Sequence, residues 1–416
     1  MRMWRFLGCW LGLVGAGLSQ EVWENEPIRY SLAQPADAAT VLEQGINDGT
    51  IQIPGATDVE RVRWVLARLN IPVESQILVF SKTSKQNNLI SPWNPRALYV
   101  SEDAYAGFVP GGQMEVITHD PVLGPVFHLI DLGNPETKAH SQRVTADCLS
   151  CHATARTLDV PGVMVRSVFA DADGHPLLVH GSTAVDASTP LAQRWGGYYV
   201  TGQCSLPHLG NRTYREDETP EPAVQRLQSL EGRIDTTRYP RGTSDIVSLL
   251  VLEHQCRVYD LLTAASYRYR RMQWMGRILN PGRQPSEDPA AQMVAKDARE
   301  IVEALLFRDA ASLGDGVEGD EAYQKAFSKR FPATADGQSL AEFHLGGKLF
   351  KNRCSYMVYS RIFASLPLPL KTAVLARLRE VLQAPGTVTG YEYLHAPERT
   401  RIDTILKATL PAYGGT

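Results

Sequence analysis

The sequence predicts an α+β fold, a β-rich N-terminal half followed by a mostly α-helical C-terminal half, and three observations carry that expectation. Between residues 76 and 201 the apolar residues come in short β-prone runs broken by turn residues. From Ser244 onward they recur at helical spacing. Between these halves, residues 216–222 are acidic and contain proline, and residues 233–243 are polar, which places a boundary near residue 235. At 416 residues, with 44% hydrophobic and 21% charged residues, the chain has ample material for a core and no disordered composition.

Taken in order, Val59, Val62, Val65, Leu66 and Leu69 share one face of a helix capped at Thr57 or Asp58. Beyond Pro72, residues 76–81, 97–100, 105–109, 114–118 and 126–132 read as strands. Gly111-Gly112 and Asp120-Pro121 break them into an antiparallel meander. Residues 163–169 and 176–180 read as a further pair of strands around Asp171-Ala172-Asp173-Gly174. That segment resembles a fragment of a calcium loop but lacks its later acidic ligands, so a hairpin turn is the better reading. Residues 196–201 give one more strand. In the second half, Ile246, Leu249, Leu250, Leu252, Val258, Leu261 and Leu262 lie on one long helix, and further helices fit 289–306, 370–382 and 396–410.

The chain opens with Arg2 and Arg5, then an apolar run from Phe6 to Leu18 ending near Gly17 and Ser19, the order of a secretory signal peptide at 1–19. That run is too short for a membrane span, which needs about 20 apolar residues. Cys9 lies in its core and does not read as a lipoprotein cysteine. Cleavage removes two arginines and takes the formal charge from −3 to −5. No later stretch reads as a membrane span. The 42 basic and 45 acidic side chains are spread along the chain without the basic clustering that phosphate binding needs, so nucleic acid is not an expected partner.

The feature that carries chemistry is Cys148-Leu149-Ser150-Cys151-His152, the C-x-x-C-H signature of covalent haem attachment. On one helical turn Cys148 stands three residues from Cys151 and four from His152, so all three share a face. Two thioethers then hold the haem edge while the imidazole reaches the iron. From this composition the motif is expected by chance roughly 0.002 times. The secretion signal agrees independently, because this attachment is made outside the cytoplasm. A redox C-x-x-C needs a βαβ context and a structural zinc site a second ligand pair, and the sequence shows neither. One motif implies one haem c per chain, with His152 as the proximal iron ligand. For the distal side the candidates are Met164, His175, His180, His208 and His254. His208 is preferred because it sits in a Gly- and Pro-containing loop beside Trp195 and Tyr198-Tyr199. His254, on a helix, and Met164, close behind the motif, are the alternatives. Cys204, Cys256 and Cys354 remain, as one disulfide plus a thiol or as three buried thiols.

These residues, together with residues 75–84, Pro95-Arg96-Ala97-Leu98-Tyr99, Val160-Pro161-Gly162, Arg166-Ser167-Val168-Phe169, residues 194–202, His208-Leu209-Gly210-Asn211, Leu252-Glu253-His254-Gln255 and residues 354–360, resemble a family of bacterial cytochrome c domain-containing proteins of Planctomycetes-like and related Gram-negative lineages. The resemblance covers most of the mature chain. It departs at Gln203-Cys204-Ser205-Leu206-Pro207, where relatives carry a Thr-His-Gly type of segment. It implies a haem-binding electron-transfer protein. A small class I cytochrome c is excluded, because such proteins place the motif near the N-terminus, whereas here 147 residues precede Cys148. The expected function is therefore periplasmic electron transfer through one haem c, with a periplasmic redox partner and no substrate of its own. The alternative is a periplasmic haem oxidoreductase of peroxidase-like type, or a haem-based sensor, with an open or displaceable distal position. The expected organisation is a signal peptide at 1–19, a β-rich haem-binding region at 20–235 and a helical region at 236–416.

Overall fold

The computed structural model describes residues 21–134, 136–279, 281–282 and 289–415. The signal segment read at 1–19 lies outside the described residues. The chain has the mixed α+β fold that the patterning predicts. Its elements are α1 (Ala38–Asn47), α2 (Asp58–Arg68), β1 (Ile77–Val79), β2 (Arg96–Val100), β3 (Ala104–Phe108), β4 (Met114–Asp120), β5 (Gly124–Asp131), β6 (His140–Arg143) and α3 (Ala146–His152). They continue with β7 (Val165–Val168), β8 (Ser182–Val185), β9 (Tyr198–Tyr199), β10 (Gly202–Cys204), β11 (Arg226–Leu227), α4 (Ile246–Leu279), α5 (Pro289–Leu305), β12 (Val317–Glu318), α6 (Glu321–Ser328), α7 (Arg361–Ala364), α8 (Leu368–Gln383), α9 (Ala396–Thr409) and α10 (Pro411–Gly414).

Seven strands form one sheet in the order β6-β5-β4-β3-β2-β1-β9, every neighbouring pair antiparallel. The meander follows from short turns. Gly111 takes φ 88° between β3 and β4, and Asp120 Oδ1 accepts from the Val122 and Leu123 N–H groups between β4 and β5. Successive side chains leave opposite faces of a strand, and both faces here are covered. Leu78, Phe80, Tyr99, Ala104, Ala106, Phe108, Met114 and Val116 pack with α1 and α2. Ile77, Val79, Val100 and Tyr105 face α4 and the helices beyond it. Helix α2 begins with the expected cap, a reciprocal capping box between Thr57 and Glu60.

Helix α4 is buried from Ile246 to Tyr267 at every position but Arg257, as a helix enclosed between sheet and helices must be. One core thus joins both halves: Val79, Trp195 and Val200 share it with Leu250, Ile301, Leu378 and Ile405.

The structure departs from expectation in several places. Helices α1, α6, α7 and α10 and strands β6, β10, β11 and β12 were not read from the sequence. The partner of β7 is β8 at Ser182–Val185, not residues 176–180. There, Leu178–His180 forms a 3-10 turn, and Gly181 at φ 77° turns the chain back. The turn at residues 171–174 is present, with Asp171 Oδ1 accepting from the Asp173 and His175 N–H groups. Finally, α4 runs 34 residues, far past Leu262. Among the described residues no helix is long and apolar enough to cross a membrane.

Candidate functional site

Helix α3 carries Cys148, Cys151 and His152, and it is seated by Leu149, which is buried among Trp23, Ile28, Tyr30, Phe127, Ala264 and Tyr267. Anchoring one apolar residue of the turn leaves Cys148 half-buried and Cys151 exposed. Neither is in a disulfide. Burial, with Glu115 nearby, pushes the Cys148 thiol up to about 11. The other three cysteines, Cys204, Cys256 and Cys354, are buried free thiols, the second of the options left open by the sequence.

The orientation of His152 follows from one hydrogen bond. Its Nδ1 lies 3.0 Å from the Gly162 carbonyl oxygen. A carbonyl only accepts, so Nδ1 carries the proton and Nε2 keeps its lone pair, the arrangement of a metal-binding imidazole. Burial holds His152 below the usual histidine range, which favours the neutral ring, although the Gly162 bond works against it. The ring rests on Phe127, centroids 5.1 Å apart.

The chain from His152 to Val163 is a closed strap. Gly162 N–H donates to the His152 carbonyl at 2.8 Å. Thr157 Oγ1 lies within 3.2 Å of the His152, Thr154 and Val160 carbonyls and shares its one proton among them. Leu158 and Asp159 both take the left-handed conformation, at φ 59° and 57°. Two such residues in succession persist only where their surroundings dictate the path. Asp260, buried on α4, accepts from Val163 N–H at 2.9 Å and pins the far end. Burial holds this carboxyl well above the usual carboxylate range. Glycine is required at 162: a Cβ there would stand 2.5 Å from Asp260 Oδ1 and 2.7 Å from Thr157 Cβ. Gly162→Ala is therefore expected to cost about 1–3 kcal/mol, the usual range for overpacking, and to displace the carbonyl that orients His152. Urea unfolding checks the first effect; an unchanged midpoint would show that the strap relaxes freely.

His152 lines a cleft of about 100 Å³, smaller than the usual ligand pocket, between the sheet and α4. The same cleft is lined by Met164, which follows the strap directly, and by Arg96, Tyr105, Glu115, Leu252 and Cys256. Arg96 Nη1 meets Glu115 Oε2 at 2.7 Å. Burial raises the Glu115 carboxyl, but Arg96 together with Ser84 and Gln86 brings it below the usual range. Arg96 Nε remains buried without an acceptor among the described residues.

The other distal candidates, the preferred His208 among them, lie outside this cleft. That residue is buried in the loop after β10. Its Nδ1 accepts from Gly210 N–H at 3.1 Å, and its ring packs edge-on to Trp195. His254 contacts Ser355 Oγ through Nε2 at 2.7 Å and stacks on Phe307 with centroids 3.9 Å apart. His175 sits beside Lys82 and Asp171 at the surface, and His180 meets the Arg215 carbonyl. The loop argument found a residue fixed by local bonds rather than one facing a ligand. Sequence reasoning also missed Arg96, Glu115, Cys256 and Asp260, which reach the site from distant strands and from α4.

Three buried histidines carry a separate consequence. Burial pushes His119 and His208 down to about 4 and His254 down to about 3. Each is neutral in the fold and takes up a proton near pH 6.5 when unfolded, so its stabilisation is full above pH 6.5 and is lost as pH falls towards 4. At pH 5 the loss is about 2 kcal/mol per histidine. Urea unfolding at pH 7 and pH 5 is expected to show a much lower midpoint at pH 5; equal midpoints would mean that these rings are solvated.

No group of three or more His, Cys, Asp or Glu side chains gathers as a metal-ligand cluster among the described residues. Comparison of the chain with protein-family models, with curated proteins and with solved structures gives no match.

Proposed function

We propose that the chain is a periplasmic monohaem c-type cytochrome that transfers electrons through one haem c, bound covalently at Cys148 and Cys151 and ligated by His152 and Met164. The observation that carries the reading is a C-x-x-C-H turn with two unpaired thiols whose histidine lines a cleft that a thioether also lines, with the imidazole already in the metal-binding tautomer. The residues fit the group. Cys148 and Cys151 supply the thioethers, His152 Nε2 and Met164 Sδ are the iron donors, and Arg96, with its orphaned Nε–H, suits the anionic propionates.

When bound, the haem supplies one-electron redox chemistry, with a potential set by axial ligands, burial and hydrogen bonding. The rest is the work of the chain. Gly162 holds the imidazole ring by its Nδ1 proton, which raises the basicity of Nε2. Asp260 and Thr157 fix the strap that carries both His152 and Met164, so the two donors keep a constant relation as the iron charge changes. Leu252, Tyr105 and Val163 exclude water from the cleft wall. The partner is a periplasmic redox protein, and the location rests on the signal pattern at 1–19.

Carbon monoxide added to the ferrous holoprotein tests the reading. A Met164-closed iron is expected to bind it weakly. Ready binding by the unaltered protein would instead favour a haem oxidoreductase or sensor with a displaceable distal side.

A further inference from the structure

The last three turns of α4 leave the core. Burial runs to Tyr267 with Arg257 as its one exposed exception, and the 12 residues beyond it extend about 18 Å at the helical rise of 1.5 Å per residue. Within this projection Trp274, Met275, Ile278 and Leu279 are 37%, 42%, 55% and 68% exposed. At 100° per residue the four fall within an arc of about 140° on one face. Large apolar side chains in one contiguous exposed stripe are unusual for a soluble surface and mark an interaction site.

The charge along this stretch of the chain is of one sign. Between Asp260 and Glu287 the sequence has five arginines and no acidic residue. Arg268 is tied to Asp297 by a pair at 2.7 Å, and Arg270 donates to Ser266 Oγ and the Pro121 carbonyl. Arg271 and Arg277 meet no carboxylate among the described residues, and Arg277 is exposed. By helical position Arg271 lies under the apolar arc and Arg277 at its margin.

We infer that the end of α4 docks the protein on an anionic phospholipid surface, with Trp274, Met275, Ile278 and Leu279 entering the interface and Arg271 and Arg277 meeting the headgroups. A helix face with a tryptophan, aliphatic residues and flanking arginines is the composition of an interfacial anchor. Anionic headgroups supply the negative charge that this segment lacks. A second copy of the chain is a poor occupant, because pairing two such tips sets arginine against arginine. The inference is independent of the haem reading, since it uses no residue of the cleft.

Co-sedimentation of the full-length protein with vesicles tests it, comparing phosphatidylglycerol–phosphatidylcholine mixtures with pure phosphatidylcholine. The protein is expected to pellet with the anionic vesicles, to release at high salt, and to stay in solution with pure phosphatidylcholine. Trp274→Gln/Leu279→Gln and Arg271→Gln/Arg277→Gln are each expected to weaken binding by about tenfold or more. Four outcomes overturn the inference: no pelleting with either vesicle; equal pelleting with both; binding that the arginine pair does not alter; or a dimer in sedimentation velocity, abolished by Trp274→Gln/Leu279→Gln, without vesicle binding. The two vesicle arms use the unaltered protein, so a variant that fails to fold leaves the test intact.

Discussion

Replacement of Met164 by alanine is expected to turn a low-spin haem spectrum into a high-spin one, to open the iron to carbon monoxide, and to lower the reduction potential by on the order of 0.1 V or more. Met164 is half-buried, lines the cleft beside His152, and follows a strap fixed at both ends by hydrogen bonds, so its thioether starts from a fixed backbone. A methionine axial ligand raises the potential by favouring the ferrous state, and its loss reverses that. His208→Ala is the matched control. His208 is held by Gly210 and Trp195 outside the cleft, and its removal is expected to leave spectrum and potential unchanged. Optical redox titration of both variants checks the pair; a spectral change in His208→Ala with none in Met164→Ala would return the distal position to the loop.

The largest effect on stability is expected from Glu253→Leu. Arg194 and Glu253 form an ion pair at 2.5 Å, both almost wholly buried, and Glu253 also accepts from Trp195 Nε1 at 2.7 Å. Burial raises the Glu253 carboxyl, against the pull of Arg194 and Trp195. Removing the carboxylate strands a guanidinium in the core, which costs about 3–5 kcal/mol. Arg194→Met/Glu253→Leu removes both charges and is expected to recover part of the loss. Recovery stays partial because Arg194 also donates to the Thr189 and Ala187 carbonyls, which then lose their donor. Urea unfolding of the three proteins measures this; a double variant no more stable than the single would mean that those carbonyl bonds outweigh the ion pair. Because Arg194 lies ahead of β9 and Glu253 on α4, the same pair fastens the sheet-bearing half to the helical half.

The meander was legible because its runs alternate over both faces of one sheet, and turn residues such as Gly111 and Asp120 stand where the chain reverses. The buried part of α4 was legible for the opposite reason: its apolar residues surround the helix. Its projecting end was not, since Arg268, Arg270 and Arg271 interrupt the apolar pattern while the backbone stays helical. Helix α1 has its cap at Asp37, but only Ala39, Leu42 and Ile46 mark its buried face, and Gly45 interrupts the pattern at a point where Ile51 packs closely. At the site, the three residues on one helical turn were readable because their spacing is itself the signal. The cleft was not readable. Arg96 and Glu115 reach it from β2 and β4, and Leu252 and Cys256 from α4, positions related only through the folded sheet. That Met164 and not His208 shares the cleft with His152 was unreadable on the same ground, because local loop character does not report which side chains share a cavity.

The central claim is that Cys148 and Cys151 hold one haem covalently. Pyridine haemochrome quantitation of the protein, expressed in cells able to attach haem c, tests it most directly. One haem per chain that resists acid–acetone extraction, lost in Cys148→Ser/Cys151→Ser, is the predicted result; no bound haem, two haems per chain, or a haem removed by acid acetone would contradict it.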